Sequence, residues 1–259
     1  MLKKISGTKN KDHIKRSDHW QDSLAYSPEY ISVLYQMLQE LVKTSDDVYS
    51  HYAFARDPLR GKLSFQQKEQ LLVKANQCGQ TYADKIMEQY SKSSPEEIAK
   101  DMNLIVNFPY QPTGTDYITF AHFQPPKTIS VYRHSLEKAE KLLNFDEINK
   151  VMEQVNIKDV LIAHELFHVV EEKEKNFIFT RKHKINLWAP PFFHNRSTVR
   201  ALSEIAGMAF AKRLTGLSYS PFLLDIFLVY GYSFETAKSL YNELKALNNE
   251  LSTYCRNTL

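Results

Sequence analysis

Residues 160–170 read VLIAHELFHVV, and this stretch directs the interpretation of the whole chain. The strongly polar residues within it are His164, Glu165 and His168. Residues four apart on an α-helix differ by about 40° around the axis, so both imidazoles would point the same way. A helix that is apolar nearly all round is buried. The pattern therefore predicts a buried helix over roughly Ile157–Glu174 with two histidines on one face.

The His-Glu-x-x-His spacing is typical of a helix that binds a catalytic zinc ion, Zn²⁺. Zinc accepts neutral histidine nitrogens at about 2.0–2.1 Å, and a catalytic site adds a third protein ligand and keeps a position for water. We therefore predict His164 and His168 as metal ligands and Glu165 as the general base. The alternative is a surface helix with two solvated histidines. The apolar context argues against it, because buried imidazole and carboxylate groups are costly unless they are paired or bind a metal.

A second apolar stretch, Ala201–Ala211, contains a single charge, Glu204. It repeats the pattern of the first helix, so we predict Glu204 as the third metal ligand. Gly207 has no side chain and would let this helix approach the first closely. The alternative for Glu204 is a buried carboxylate paired with Arg196 or Arg200.

Two histidines on one helix and a glutamate on a later one resemble the gluzincin arrangement of zinc metallopeptidases. The second helix is similar to that of the ImmA/IrrE-type metallopeptidases, in which the glutamate is followed by small-x-x-Phe-Ala-x-x-Leu. The matching residues are Glu204, Gly207, Phe210, Ala211 and Leu214. The resemblance covers roughly Ile157–Gly216 and implies a zincin-like fold that hydrolyses peptide bonds. Phe167 replaces the usual glycine, and no helix-turn-helix region is evident, so the regulatory role of that group is not implied.

The fold class follows from the patterns along the chain. Helical spacing dominates the first hundred residues, and a long helix is predicted over Ser27–Tyr52. Strand-like segments follow at Tyr117–Phe123 and Thr128–Tyr132. We predict a predominantly helical α+β protein with a small sheet packed on the HExxH helix. Residues 1–103 would form a helical N-terminal region and residues 104–259 the zincin-like catalytic region, or the two would form one continuous domain.

Further site residues are proposed for binding and catalysis. We expect His194 to stabilise the oxyanion of the tetrahedral intermediate, with His183, Tyr219 and Tyr232 as alternatives. Thr128–Tyr132 is either the edge strand that aligns an extended peptide or an ordinary sheet strand. The histidines without ligand-like spacing are His13, His19, His51, His122 and His134.

Composition limits the classes of function. The chain has 33 Lys and Arg against 30 Asp and Glu, and a net charge of +3 is too small to indicate a nucleic-acid partner. No run reaches the roughly 18 apolar residues of a membrane span, and no secretory signal is visible, so we expect a cytoplasmic protein.

The predicted function is zinc-dependent hydrolysis of a peptide or protein substrate. One alternative is a zinc hydrolase that acts on a non-peptide amide. The other is a non-enzymatic helical interaction protein whose zinc is structural or absent. A structural site would have a fourth protein ligand in place of water.

Overall fold

The computed structural model describes residues 26–91, 94–110, 118–188 and 195–258. Over these ranges the chain is mostly helical with a small sheet, which confirms the predicted α+β, predominantly helical class. The α-helices are α1 (Pro28–Leu41), α2 (Asp46–Ala55), α3 (Phe65–Gln89), α4 (Pro95–Asp101), α5 (Arg133–Leu143), α6 (Asp146–Val151), α7 (Ile157–Lys173), α8 (Phe179–Lys182), α9 (Arg200–Thr215), α10 (Leu224–Tyr230) and α11 (Phe234–Thr258). The strands are β1 (Ile105–Asn107), β2 (Ala121–Gln124), β3 (Thr128–Val131), β4 (Lys184–Trp188) and β5 (Asn195–Thr198).

The single helix predicted over Ser27–Tyr52 is wrong, because the structure divides it into α1 and α2. The side chain of Ser45 accepts a hydrogen bond from the backbone N–H of Val48, and two aspartates follow it in the first turn of α2. A serine cap and acidic first-turn residues both stabilise a new helix N-terminus. This local signal prevails over the helical spacing that runs through the segment.

The larger sheet has the strand order β1-β3-β2. Strand β3 pairs in parallel with β1 and antiparallel with β2, so the edge-strand interpretation of Thr128–Tyr132 is wrong and the segment is an ordinary central strand. Among the described strands, β2 is the neighbour of β3 on the side away from β1. Both β2 and β3 pack on helix α7.

Helix α9 packs closely against α7 and α3. A Cβ atom placed on Gly207 would lie 2.9 Å from His164 Cε1, which confirms that the missing side chain permits a close approach to α7. Where α3 contacts α9, a Cβ atom on Gly79 of α3 would lie 2.1 Å from the carbonyl oxygen of Ala206. Glycine is therefore required at both crossings, and α3 from the N-terminal half supports the helix that carries Glu204.

The ends of the two site-bearing helices are fixed by local chemistry. Asn156 accepts a hydrogen bond from the Asp159 N–H at the start of α7 (3.2 Å). Buried Asp57 accepts one from the Ala201 N–H at the start of α9 (2.8 Å). Gly216 ends α9 with a φ of 73°, a left-handed conformation that glycine adopts without steric cost. These caps set where along each helix the site residues lie.

None of the helices in the described part of the chain is long and apolar enough to cross a membrane.

Candidate metal centre

The three predicted ligands come together in the structure, and we call His164, His168 and Glu204 the ligand cluster. His164 Nε2 lies 3.0 Å from His168 Nε2, and Glu204 Oε2 lies 3.5 Å from His164 Nε2. One ligand atom from each residue falls within 4.8 Å of the other two. Ligand atoms about 2.0–2.1 Å from one tetrahedral ion are about 3.3 Å apart, so the spacing suits a zinc ion.

The chemistry of these atoms also fits a cation. Both Nε2 atoms face each other, and a neutral imidazole nitrogen without a proton is an acceptor with a lone pair. A carboxylate oxygen adds further negative charge on the same side. Desolvation opposes ionisation, but the neighbouring His164 and His168 hold the pKa of Glu204 well below its usual range, so this carboxylate is ionised. Three electron-pair donors that converge in this way are stabilised by a metal ion between them.

The site is buried on one side and open on the other. The His164 side chain is 3% exposed, whereas the Glu204 side chain is 41% exposed. A cleft of about 320 Å³ lies on the open side, with walls from β2, α7, α8 and α9. Glu165, which is 1% exposed, contributes to the wall of this cleft. A molecule in the cleft would therefore meet the predicted general base and the predicted ligands together.

Glu171 supports His168 and was not predicted from the sequence. Its buried carboxylate accepts hydrogen bonds from Thr180 Oγ1 (2.5 Å) and Ser203 Oγ (2.9 Å). Arg181 Nη2 forms an ion pair with it at 3.1 Å. The Oε2 atom of Glu171 lies 3.6 Å from His168 Nδ1. Helices α7, α8 and α9 thus meet at one carboxylate, which faces the ring nitrogen that points away from the ligand cluster.

This arrangement changes the ionisation of both groups. Burial would raise the pKa of Glu171, but His168, Thr180 and Arg181 hold that pKa below its ordinary value. Burial would lower the pKa of His168, but the neighbouring carboxylates of Glu171, Glu165 and Glu204 raise it. A carboxylate beside the outer nitrogen of a metal-binding histidine fixes the ring orientation and increases the basicity of the inner nitrogen. The spacing of three residues on α7 was the sequence signal for this contact.

His164 lacks an equivalent partner. Its Nδ1 atom is buried, and no described residue forms a hydrogen bond with it. Gly207 lies against this side of the ring. Close packing, rather than a hydrogen bond, therefore fixes the orientation of His164.

His122 and Tyr132 form a second pair that the sequence did not indicate. Tyr132 Oη lies 3.0 Å from His122 Nδ1, and His122 lines the cleft that contains Glu165 and Glu204. Burial, and then the charge of Glu165, raise the pKa of Tyr132, so the phenol keeps its proton. A phenol that donates to Nδ1 leaves the proton of a neutral imidazole on Nε2. His122 can then act as a hydrogen-bond donor towards the cleft.

The other predicted site residues are His194, His183, Tyr219 and Tyr232. His194 is outside the described residues. Tyr219 donates a hydrogen bond to the Met152 carbonyl oxygen (3.0 Å), and Tyr232 lies 3.1 Å from His134 Nδ1. Neither tyrosine, nor His183, belongs to the described lining of the cleft. These alternatives for oxyanion stabilisation are therefore less favourably placed than His122.

The alternative interpretation of Glu204 as a carboxylate paired with arginine does not match the geometry. Arg196 Nε donates a hydrogen bond to Asn186 Oδ1 (3.2 Å). Arg200 forms no ion pair with any described residue, although it lines the same cleft as Glu204. Within these ranges, the ion-pair partner of Glu204 is His164.

Comparisons of the chain with protein-family models, curated proteins and solved structures gave no match.

Proposed function

We propose that the chain is a zinc-dependent peptidase of the gluzincin type, with His164, His168 and Glu204 as ligands. The convergence of two Nε2 atoms and one carboxylate oxygen at the wall of an open cleft supports this proposal. A zincin-like arrangement of the α7 and α9 helices, with a small sheet beside α7, belongs to the same proposal. When bound, zinc supplies a Lewis acid that activates water and polarises a carbonyl group.

Glu165 acts as the general base in this mechanism. Its carboxylate lies on the helix between the two histidines but outside the ligand cluster, and it lines the cleft. It accepts the proton of the attacking water and passes it to the leaving amine when the peptide bond breaks. A purely structural metal site has no need of such a group, and it would have a fourth protein ligand. The described residues of the cluster supply three ligands.

His122 takes the role that the sequence suggested for His194. With Tyr132 donating to Nδ1, the Nε2–H group of His122 is available to the carbonyl oxygen on which negative charge develops. A donor held in place before the reaction stabilises this charge without reorganisation, and such donors contribute about 10²–10³-fold to the rate. Tyr132 acts through His122 as a positioning residue.

The test compares the native protein with Glu165→Gln on a diverse peptide mixture, with new termini followed by mass spectrometry. Glutamine keeps the shape of the side chain but cannot accept the proton, so cleavage should fall by about 10²–10⁴-fold while bound zinc is retained. Glu174→Gln, the same substitution at the C-cap of α7 and outside the cleft, serves as the control and should cleave like the native protein.

Three other outcomes would contradict the proposal. Equal cleavage by native protein and Glu165→Gln would exclude the role of Glu165. Cleavage of small amides but not of peptides would favour a non-peptide substrate. Failure of the zinc-loaded native protein to cleave any substrate would favour an interaction protein with a structural zinc.

A further inference from the structure

Four charged residues that line the cleft form ion pairs in the structure: Glu171, Glu172, Arg181 and Glu204. Arg181 is paired with Glu171 at 3.1 Å, and Lys175 is paired with Glu172 at 2.9 Å. Glu204 is paired with His164 in the ligand cluster. The side chain of Arg200 forms no ion pair and no hydrogen bond with the residues that the structure describes. It is exposed, so its guanidinium is available to a molecule that enters the cleft.

The position of Arg200 relates it to the proposed reaction centre. Arg200 is the first residue of α9, and Glu204 follows one turn later on the same face. Four residues of helix rise about 6 Å. An extended peptide advances about 3.3 Å per residue. If one peptide bond of a substrate lies at the ligand cluster, a residue within about two positions of that bond therefore lies near Arg200.

In this part of the cleft, the guanidinium of Arg200 is the group that favours an anion. The Glu171 and Glu172 carboxylates are balanced by their partners, and those of Glu165 and Glu204 lie beside the two histidines and the proposed zinc. Of the two arginines among the described cleft residues, Arg200 is then the one that forms no ion pair. Its planar guanidinium forms two parallel hydrogen bonds with a carboxylate, which gives both affinity and orientation.

We propose that Arg200 binds a carboxylate of the substrate within about two residues of the hydrolysed bond, so that acidic peptides are the preferred substrates. This inference rests on the proposed peptidase function and names the substrate class of the same site. Two groups offer this chemistry: the side chain of an aspartate or glutamate, and the C-terminal carboxylate of the peptide. The first predicts an endopeptidase with acidic preference, and the second predicts removal of short C-terminal fragments.

The experiment uses sets of peptides that cover both sources. In one set, a glutamate near the cleaved bond is replaced by glutamine or by lysine, at each of two positions on either side. In the other set, the free C-terminus is replaced by an amide. The value of kcat/KM is measured for zinc-loaded native protein, for Arg200→Glu and for Arg60→Glu. Arg60 is exposed and lies outside the cleft, so its variant has the same change in net charge.

We expect the native protein and Arg60→Glu to prefer the acidic member of one set by about two- to fivefold. Arg200→Glu should lose this preference and favour a lysine at the same position, because the sign of the contact is reversed. A preference confined to the free C-terminus identifies the terminal carboxylate as the ligand, and one confined to an internal glutamate identifies the side chain. The same acidic preference in Arg200→Glu and native protein, or none in the native protein, would overturn the inference.

A binding measurement separates this inference from the proposed hydrolysis. Fluorescence anisotropy of labelled acidic and neutral peptides is measured on zinc-loaded Glu165→Gln, with and without Arg200→Glu. Tighter binding of the acidic peptide that disappears with Arg200→Glu supports the inference even if the native protein cleaves nothing. Equal binding of both peptides to Glu165→Gln would contradict it, whatever the native protein cleaves.

Discussion

His168 is held from two sides. Its Nε2 atom faces His164 at 3.0 Å, and its Nδ1 atom faces the Glu171 carboxylate at 3.6 Å and Ser203 Oγ at 3.4 Å. His168, Thr180 and the exposed Arg181 hold the pKa of the buried Glu171 carboxylate below its ordinary value, so it stays charged. At the residue scale, the ligand cluster therefore depends on a neighbour that binds no metal itself.

Replacement of Glu171 by glutamine should weaken zinc binding by about 10–100-fold, because the amide neither orients His168 as firmly nor raises the basicity of its inner nitrogen. Chelator competition measures the affinity, and the absorption spectrum of the cobalt-substituted protein reports the ligand geometry. Glu174→Gln, at the C-cap of the same helix, is the matched control. An unchanged affinity and cobalt spectrum in a folded Glu171→Gln protein would show that Glu171 serves stability alone.

Helices α3, α7 and α9 pack closely against one another at two glycines. Gly207 brings α9 against His164, and Gly79 brings α3 against the backbone of α9. Asp57 adds a cap at the start of α9 from a distant part of the chain. The orientation of Glu204 towards the histidines thus depends on α9 lying in one position between its neighbours.

Replacement of Gly79 by alanine should lower the free energy of unfolding by about 1–3 kcal/mol. The new Cβ atom would lie 2.1 Å from a backbone carbonyl oxygen, and no side-chain rotation can relieve this contact. Gly61→Ala is the control, since nothing lies within 4 Å of its Cβ position. Urea denaturation of both variants measures the effect, and equal stabilities would contradict the packing of α3 on α9.

The sequence predicted the parts of the site that lie within one helix. Residues His164 and His168 share a face by spacing alone, and the single charge in an apolar stretch indicated Glu204. His122 and Tyr132 could not be found in this way, because they meet through the pairing of β2 with β3, in which His122 lies opposite Ser130. Such a contact depends on strand register and on the turn between the strands.

At the scale of the whole molecule, residues distant along the chain form a single core. Buried apolar residues of α1, α3, α7, α9 and α10 belong to one cluster, so α7 and α9, which carry the three predicted ligands, are packed on both halves of the chain. Apolar periodicity predicted most of these helices, but their crossings depend on tertiary packing. The crossing of α3 over Ala206 was accordingly not foreseen, although Gly79 was visible in the sequence.

The zinc content of the purified protein tests the central claim most directly. Native protein that is freed of metal, loaded with zinc and desalted should retain about one ion per chain, because three ligands converge at one point. His164→Ala should lose most of this zinc, whereas His183→Ala, which changes a histidine outside the cleft, should retain it. Elemental analysis of the three proteins gives the answer. Full zinc occupancy in folded His164→Ala would contradict the metal centre described above.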